Sequence, residues 1–313
     1  MPDLKNIKIG IFAGGVSSER EISLESAKNV WRTLKGQGYK VLFIDIATTS
    51  KDYIQTLVKN YSLDLVFIAL HGEFGEDGQI QQILEDNNIA YIGSKPKASH
   101  LAMDKILAKK VFLKNNIPTP GFKVSSDINS LPEDIKFPLV IKPYKSGSSL
   151  GISIVDKSAG LLKALKCAFS CQDKVIIEDY IEGRELTVGI LDNKALSVVE
   201  IIPKSGYYDF KAKYSDGMSQ FIAPAKLSES VYRQCQDLAL RSHQVLGCRH
   251  FSRVDLRLLK NKDPFILEIN SIPGLTSHSL LPLSAGASGL SFSDLLIKMI
   301  ELAVYEKEAA QKA

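Results

Sequence analysis

The sequence predicts an α/β protein that opens with a parallel sheet, and three observations carry that expectation. Apolar β-type runs at Lys8 to Phe12, Val41 to Asp45, Leu65 to Leu70 and Ala90 to Ile92 alternate with amphipathic helical segments, which is the rhythm of βαβ units. Short strands with a single helix follow from Phe122 to about Ile181. Near the end, "FSRVDLRLL" and "PFILEIN" flank "KNKD" as a β-hairpin.

The first helix is expected to start at a capping box, Ser18 with Glu21 three residues on, and to recur on one face at Ala27, Val30, Trp31 and Leu34 before Gly36 and Gly38 stop it. Its N-terminal amides then stand just after the first strand, where the "GGVSSER" turn opens toward a ligand. One long helix is expected from Ala98 through "ASHLAMDKILAKKVFLKNN" to the prolines of "IPTPGF". The segments "ELTVGILDN" and "ALSVVEII" read as strands, Ser205 to Gln220 as a polar, tyrosine-rich loop, and Ser228 to Leu246 as a helix. A loop of that length inside a compact unit reads as a lid or binding loop. These breaks divide the chain into residues 1–95, 96–181 and 182–313.

The chain has 313 residues, 45% hydrophobic and 24% charged, which excludes a disordered protein. Its net charge of +4 comes from 39 basic and 35 acidic residues mixed along the chain, without the basic stripe of a nucleic-acid binder. The N-terminal "MPDLKNIKIGIFAGG" lacks the features of a signal peptide, and no apolar run approaches the roughly 18 to 20 residues of a membrane span. A cytoplasmic location with neither nucleic-acid nor membrane partner is expected. Cys167 and Cys171, four apart on a helical pattern without a nearby His, are expected to be small buried thiols.

Strand alternation at the late hairpin puts Arg253, Asp255 and Arg257 on one face and Glu268 with Asn270 on a face across the turn. Asp255, Glu268 and Asn270 form a hard-oxygen set suited to Mg²⁺; by alternation alone, a solvated acidic face fits as well. The stretch "VIKPYKSGSSLGISIV" has Lys142 before its glycine and a strand after it, unlike a Walker loop. Its Gly147-Ser148-Ser149 turn offers backbone amides to a phosphate, or simply closes a hairpin.

Seven blocks in order bear on the choice: "GGVSSEREISL", "ALHGEFGEDGQIQ", "YIGSKPKASHLAMDK", "KPYKSGSSLGIS", "YYDFKAKY", "SRVDLRLL" and "LEINSIPGLTSHSLLP". From about Lys8 to Leu302 the sequence resembles the D-alanine-D-alanine ligase family. The resemblance implies an N-terminal parallel-sheet domain followed by a two-part ATP-grasp fold, α+β in character, whose glycine-rich hairpin covers the phosphates. It implies the joining of two D-alanines with ATP for peptidoglycan precursors, through a D-alanyl phosphate, by an enzyme that is usually a homodimer.

The resemblance also implies roles. Lys105, Lys142 and, on lid closure, Lys213 contact ATP phosphates, with Ser148 nearby. Glu178 accepts from the adenine amino group, Tyr180 and Ile181 lie along the base, and Glu185 binds ribose; Asp179-Tyr180 stands where some relatives have Lys-Trp. Asp255, Glu268 and Asn270 hold Mg²⁺, commonly two ions, with Mn²⁺ a possible substitute. Glu19 holds the first D-alanine's ammonium in a network with Ser148 and Tyr214, and His71 faces that subsite. Arg253 and the Gly274 amide stabilise the tetrahedral oxyanion, while Ser279 and the Leu280 amide bind the second carboxylate. Tyr214 fits an amine acceptor, and Phe210 stands where some relatives carry Tyr.

The rival readings are the same fold with D-serine or D-lactate as acceptor, a nucleotide-binding relative without catalysis, and a dinucleotide oxidoreductase. "AGGVSS" lacks the G-x-G-x-x-G spacing of the last. The second is disfavoured because Arg253, Asp255, Glu268, Asn270, Lys142 and Lys213 are all present.

Overall fold

Strand β1 (Lys8–Gly14) is buried from Ile9 onward because apolar layers cover both of its sides, as expected for the centre of a parallel sheet. The computed structural model describes residues 4–129, 131, 134–204 and 218–312. In it β1 is followed by α1 (Arg20–Gly36), β2 (Lys40–Ile46), α2 (Lys51–Tyr61), β3 (Leu65–Ile68), α3 (Gln79–Asp86) and β4 (Ala90–Ile92), and the strands pair in parallel in the order β2-β1-β3-β4. Ile9, Ile11 and Ala13 face α1, while Phe12 faces the α2 and α3 side.

The next segment folds as the antiparallel sheet β5-β8-β6-β7, built from β5 (Phe122–Ser125), β6 (Leu139–Pro143), β7 (Ser153–Val155) and β8 (Val175–Asp179), with α6 (Leu161–Phe169) packed on it. The third sheet, β11-β10-β9-β12-β13, comprises β9 (Gly183–Leu191), β10 (Lys194–Pro203), β11 (Ser219–Ile222), β12 (Phe251–Leu259) and β13 (Asp263–Asn270). Val254, Leu256 and Leu258 of β12 enter a core with α7 (Glu229–Val245), and the alternate positions Arg253, Asp255 and Arg257 are left for the opposite face.

Two further helices, α8 (Leu280–Ala287) and α9 (Phe292–Lys312), close the chain. Leu281, Leu295, Leu296 and Met299 share a core with Ile9, Ile11, Leu65 and Phe67 of the first sheet. Among the described residues no single helix is long and apolar enough to cross a membrane.

Three expectations need correction. The long helix from Ala98 is two, α4 (Pro96–Met103) and α5 (Lys105–Lys114), because Asp104 leaves helical geometry and its carboxylate caps the amides of Ile106 and Leu107. Both helices contribute to the core of the third sheet through Ala102, Ala108 and Phe112. The first helix has no Ser18 capping box: Glu19 is the N-cap residue without a side-chain cap bond, and Ser17 Oγ accepts from the Glu19 amide at 3.2 Å. Cys167 and Cys171 are exposed, since α6 buries Ala164, Leu165 and Ala168 instead, whereas Cys235 and Cys248 are buried.

His243, fully buried on α7, lies 2.7 Å from Ser252 Oγ through Nδ1. Burial, helped by the nearby His250 ring, lowers its pKa from 6.5 to about 4. Between those values the unfolded chain binds the additional proton, so stability falls as pH drops from 6.5 toward 4, by about 2 kcal/mol at pH 5. Urea unfolding at pH 7 and pH 5 should show that loss in the native chain and a smaller one in His243→Gln. Equal losses would mean that other groups set the acid limit.

Candidate functional site

Two adjoining clefts meet along β12 and β13. The first, of about 110 Å³, is lined by Val140, Lys142, Ser149, Glu178, Asp179, Tyr180, Ile181, Glu185, Asp255, Arg257, Leu267 and Glu268, among others. The second, of about 90 Å³, is lined by residues that include Glu19, His71, Glu76, Gly147, Ser148, Arg253, Asn270, Gly274, Thr276, His278, Ser279 and Leu280. Of the expected residues, Lys142, Glu178, Tyr180, Ile181, Glu185, Asp255 and Glu268 line the first cleft and Glu19, His71, Ser148, Arg253, Asn270, Gly274, Ser279 and Leu280 the second, while Lys105 lines neither. Ser148 lies in the second cleft and Ser149 in the first, so the glycine-rich loop spans both.

The strand register explains the convergence. Asp255 pairs with Glu268 and Arg253 with Asn270 across the hairpin, so all four side chains share a face. A register shift between Asp255 and Leu256 skips Leu267; Ile266 goes to the core and Leu267 to the first cleft. A bulge of this kind re-aims side chains beside a site.

Opposite charges there hold one another. Arg253 makes a two-pronged contact with Asp255, Nε at 2.9 Å and an Nη at 2.8 Å. Asp255 also accepts from Thr187 Oγ1 at 2.5 Å and Asn270 Nδ2 at 2.9 Å. Lys105, placed at the start of α5 by the Asp104 cap, reaches Glu268 at 3.2 Å and donates to Ser146 O at 2.6 Å. Lys142 of β6 lies 2.6 Å from Glu178 Oε2, and Lys109 lies 3.3 Å from the same oxygen. Burial lowers the Lys109 pKa to about 8, with Glu178 opposing the shift. Arg257 stacks over the Tyr180 ring and contacts Glu185 at 3.4 Å. Two carboxylates and an amide oxygen from Asp255, Glu268 and Asn270 are hard donors and fit a divalent cation of the Mg²⁺ type.

In the second cleft Ser148 Oγ donates to Glu19 Oε1. Gly147 permits that approach, because a Cβ there would lie 2.5 Å from Glu19 Oε2. Ser148 and Ser149 both take positive φ, 50° and 58°, a conformation that non-glycine residues adopt at some cost. His71 Nδ1 is 3.1 Å from Glu76 Oε1 and Nε2 is 3.3 Å from Ser26 Oγ. Burial opposes charge on the ring, but Glu76 and Glu19 raise the His71 pKa overall; burial raises that of Glu76, so the pair retains its proton well. Ser279 is the N-cap residue of α8, and its Oγ accepts from the Thr276 amide at 2.9 Å. The Leu280 amide therefore opens a helix N-terminus, which favours an anion. Asn29 Nδ2 to Leu275 O and the Leu275 amide to Ser26 Oγ tie this loop to α1.

Lys213 and Tyr214 fall outside the described residues, as does Phe210. Sequence reasoning missed Glu76, Lys109, Thr187, Arg257 and Leu267. Glu76 stood inside a quoted block and Arg257 on the face already read, whereas Lys109 carried only its position one helical turn after Lys105.

A family model described as "D-ala D-ala ligase C-terminus" matches residues 116–301, and one described as "D-ala D-ala ligase N-terminus" matches residues 8–60 and 49–94. A D-alanine--D-alanine ligase of Geotalea uraniireducens is 43% identical over 304 residues, 96% of this chain and 97% of the relative. Another from Methylacidiphilum infernorum is 44% identical over 294 residues, 94% of each. Among solved structures, a D-alanine--D-alanine ligase from Bacillus anthracis complexed with ATP superposes with a TM-score of 0.85 at 30% identity, covering 97% of this chain and 99% of that one. The Coxiella burnetii enzyme gives 0.82 at 31% identity, covering 98% and 97%.

Proposed function

The chain belongs to the D-alanine-D-alanine ligase family, whose reaction is the ATP-driven ligation of two D-alanines for peptidoglycan precursor synthesis, and from that premise we propose how its two clefts divide the work. The observation that carries the reading is the single face of β12: Arg253 lines one cleft while Asp255 and Arg257 line the other. A phosphoryl group at their junction is within reach of both.

In this reading ATP occupies the first cleft. Glu178 accepts from the adenine amino group, Tyr180 and Ile181 flank the base, Glu185 takes the ribose, and Lys105, Lys142 and Lys213 turn to the phosphates, with Ser148 and its loop over them. Asp255, Glu268 and Asn270 would hold Mg²⁺, commonly two ions and replaceable by Mn²⁺, which supplies neutralisation of phosphate charge.

Glu19 pairs with the first D-alanine's ammonium, His71 borders it, and the substrate carboxylate attacks the γ-phosphate to give D-alanyl phosphate and ADP. Ser279 and the Leu280 amide hold the second carboxylate, so its amine, once deprotonated, faces the acyl carbon. Arg253 and the Gly274 amide receive the developing oxyanion before phosphate leaves. By the resemblance, Tyr214 would join the network of Glu19 and Ser148 and favour an amine acceptor. We further propose the three-part division at residues 95 and 181, a homodimer, and the cytoplasm as its place.

Phosphate release from ATP and Mg²⁺ with D-alanine, followed by product mass, tests the reading. D-alanine-dependent release with dipeptide as product is expected, also when D-serine or D-lactate competes. Preference for either competitor would overturn the role of Tyr214; ATP binding without release under any condition would overturn catalysis. Sedimentation of the same preparation should give a dimer-sized species.

A further inference from the structure

Lys109 is fully buried on α5, yet its ammonium belongs to no step above. Nζ donates to Thr119 Oγ1 at 2.6 Å, and the one proton of that hydroxyl goes to Ile266 O at 2.8 Å, so Thr119 presents a lone pair to the lysine. Glu178 Oε2 is 3.3 Å away, and the charges of Lys142 and Glu268 also act on the ammonium. An enclosed ammonium is costly unless paired, and Lys109 is 0% exposed.

Glu178 is itself 3% exposed and has two cations on one oxygen, Lys109 and, at 2.6 Å, Lys142. The two differ in anchorage. Lys142 borders the cleft, whereas Lys109 is fixed by Thr119 beneath it. Once Lys142 turns to a phosphate, Glu178 would be a buried carboxylate without a counter-charge unless Lys109 keeps hold of it.

We propose that Lys109 is a positioning residue for base recognition, holding the Glu178 carboxylate turned toward the exocyclic amino group of adenine after Lys142 has left it for a phosphate. The inference rests on the assignment of Glu178 to that amino group. It makes Lys109 a permanent counter-ion and Lys142 a transferable one.

The test compares ATP with inosine triphosphate, whose base carries an oxo group where adenine carries its amine. In Lys109→Met the KM for ATP should rise about tenfold or more, with kcat and the KM for D-alanine within about threefold of native. The preference for ATP over the inosine nucleotide should fall to the level of Glu178→Gln, and the double variant should be no worse than Glu178→Gln alone, since the two act as one unit. Native preference retained in Lys109→Met while Glu178→Gln has lost it overturns the role of Lys109. Native preference in Glu178→Gln overturns the base assignment and this inference with it, while leaving D-alanine-dependent ligation standing. Should Lys109→Met fail to fold by thermal melting, Thr119→Val provides the same reading: reduced ATP preference, restored in Thr119→Ser, is expected, and unchanged preference overturns the proposal.

Discussion

Replacing Arg253 by alanine should lower kcat by about 10²- to 10³-fold, the scale of losing one preorganised oxyanion donor. Arg253 lines the second cleft together with Gly274 and grips Asp255 with two nitrogens. Removing it takes away the donor and also deprives Asp255 of its two-pronged cation. Arg253→Lys separates these effects, because it keeps charge but loses the planar fork. It should recover only part of the rate. Steady-state phosphate release, with melting curves to confirm folding, decides the matter; turnover of the alanine variant within about threefold of native would remove Arg253 from the chemistry.

Substituting Glu19 by glutamine should raise the KM for D-alanine by about 30- to 100-fold, the equivalent of one charge-assisted hydrogen bond worth about 2–3 kcal/mol. Glu19 is 8% exposed, and its carboxylate is the acceptor for Ser148 in the glycine-rich loop. The glutamine keeps shape but loses charge, so an ammonium subsite should weaken far more than the fold. Ser148→Ala should have the smaller effect, and the double variant less than the sum, because the residues share one contact. An unchanged D-alanine KM in Glu19→Gln would place the ammonium elsewhere.

The shared face of the late hairpin was legible from strand alternation alone. Alternation along β12 put Arg253 with Asp255, and the hairpin put Glu268 and Asn270 opposite, as the register has them. What alternation cannot reveal is a skipped residue: Leu267 reaches the first cleft only because pairing slips by one. Asp104 looked like an ordinary helix residue until its side chain took the amides that begin α5. Lys109 and Thr119 meet across the turn that ends α5, and nothing in their spacing announces that Glu178, on another sheet, completes the group. The exposed Cys167 and Cys171 show the reverse error, an apolar-looking stretch whose buried stripe passes beside its thiols.

The shared core of the first sheet and the last two helices has a consequence for biosynthesis. Translation delivers Ile9, Ile11, Leu65 and Phe67 long before Leu281, Leu295 and Met299, the side chains that cover them. At about 5–20 residues per second the interval from Phe67 to Leu281 is on the order of 10–40 s. During that time one apolar side of the nascent sheet has no native cover from these helices, and the earliest-made part of the protein is among the last to be completed.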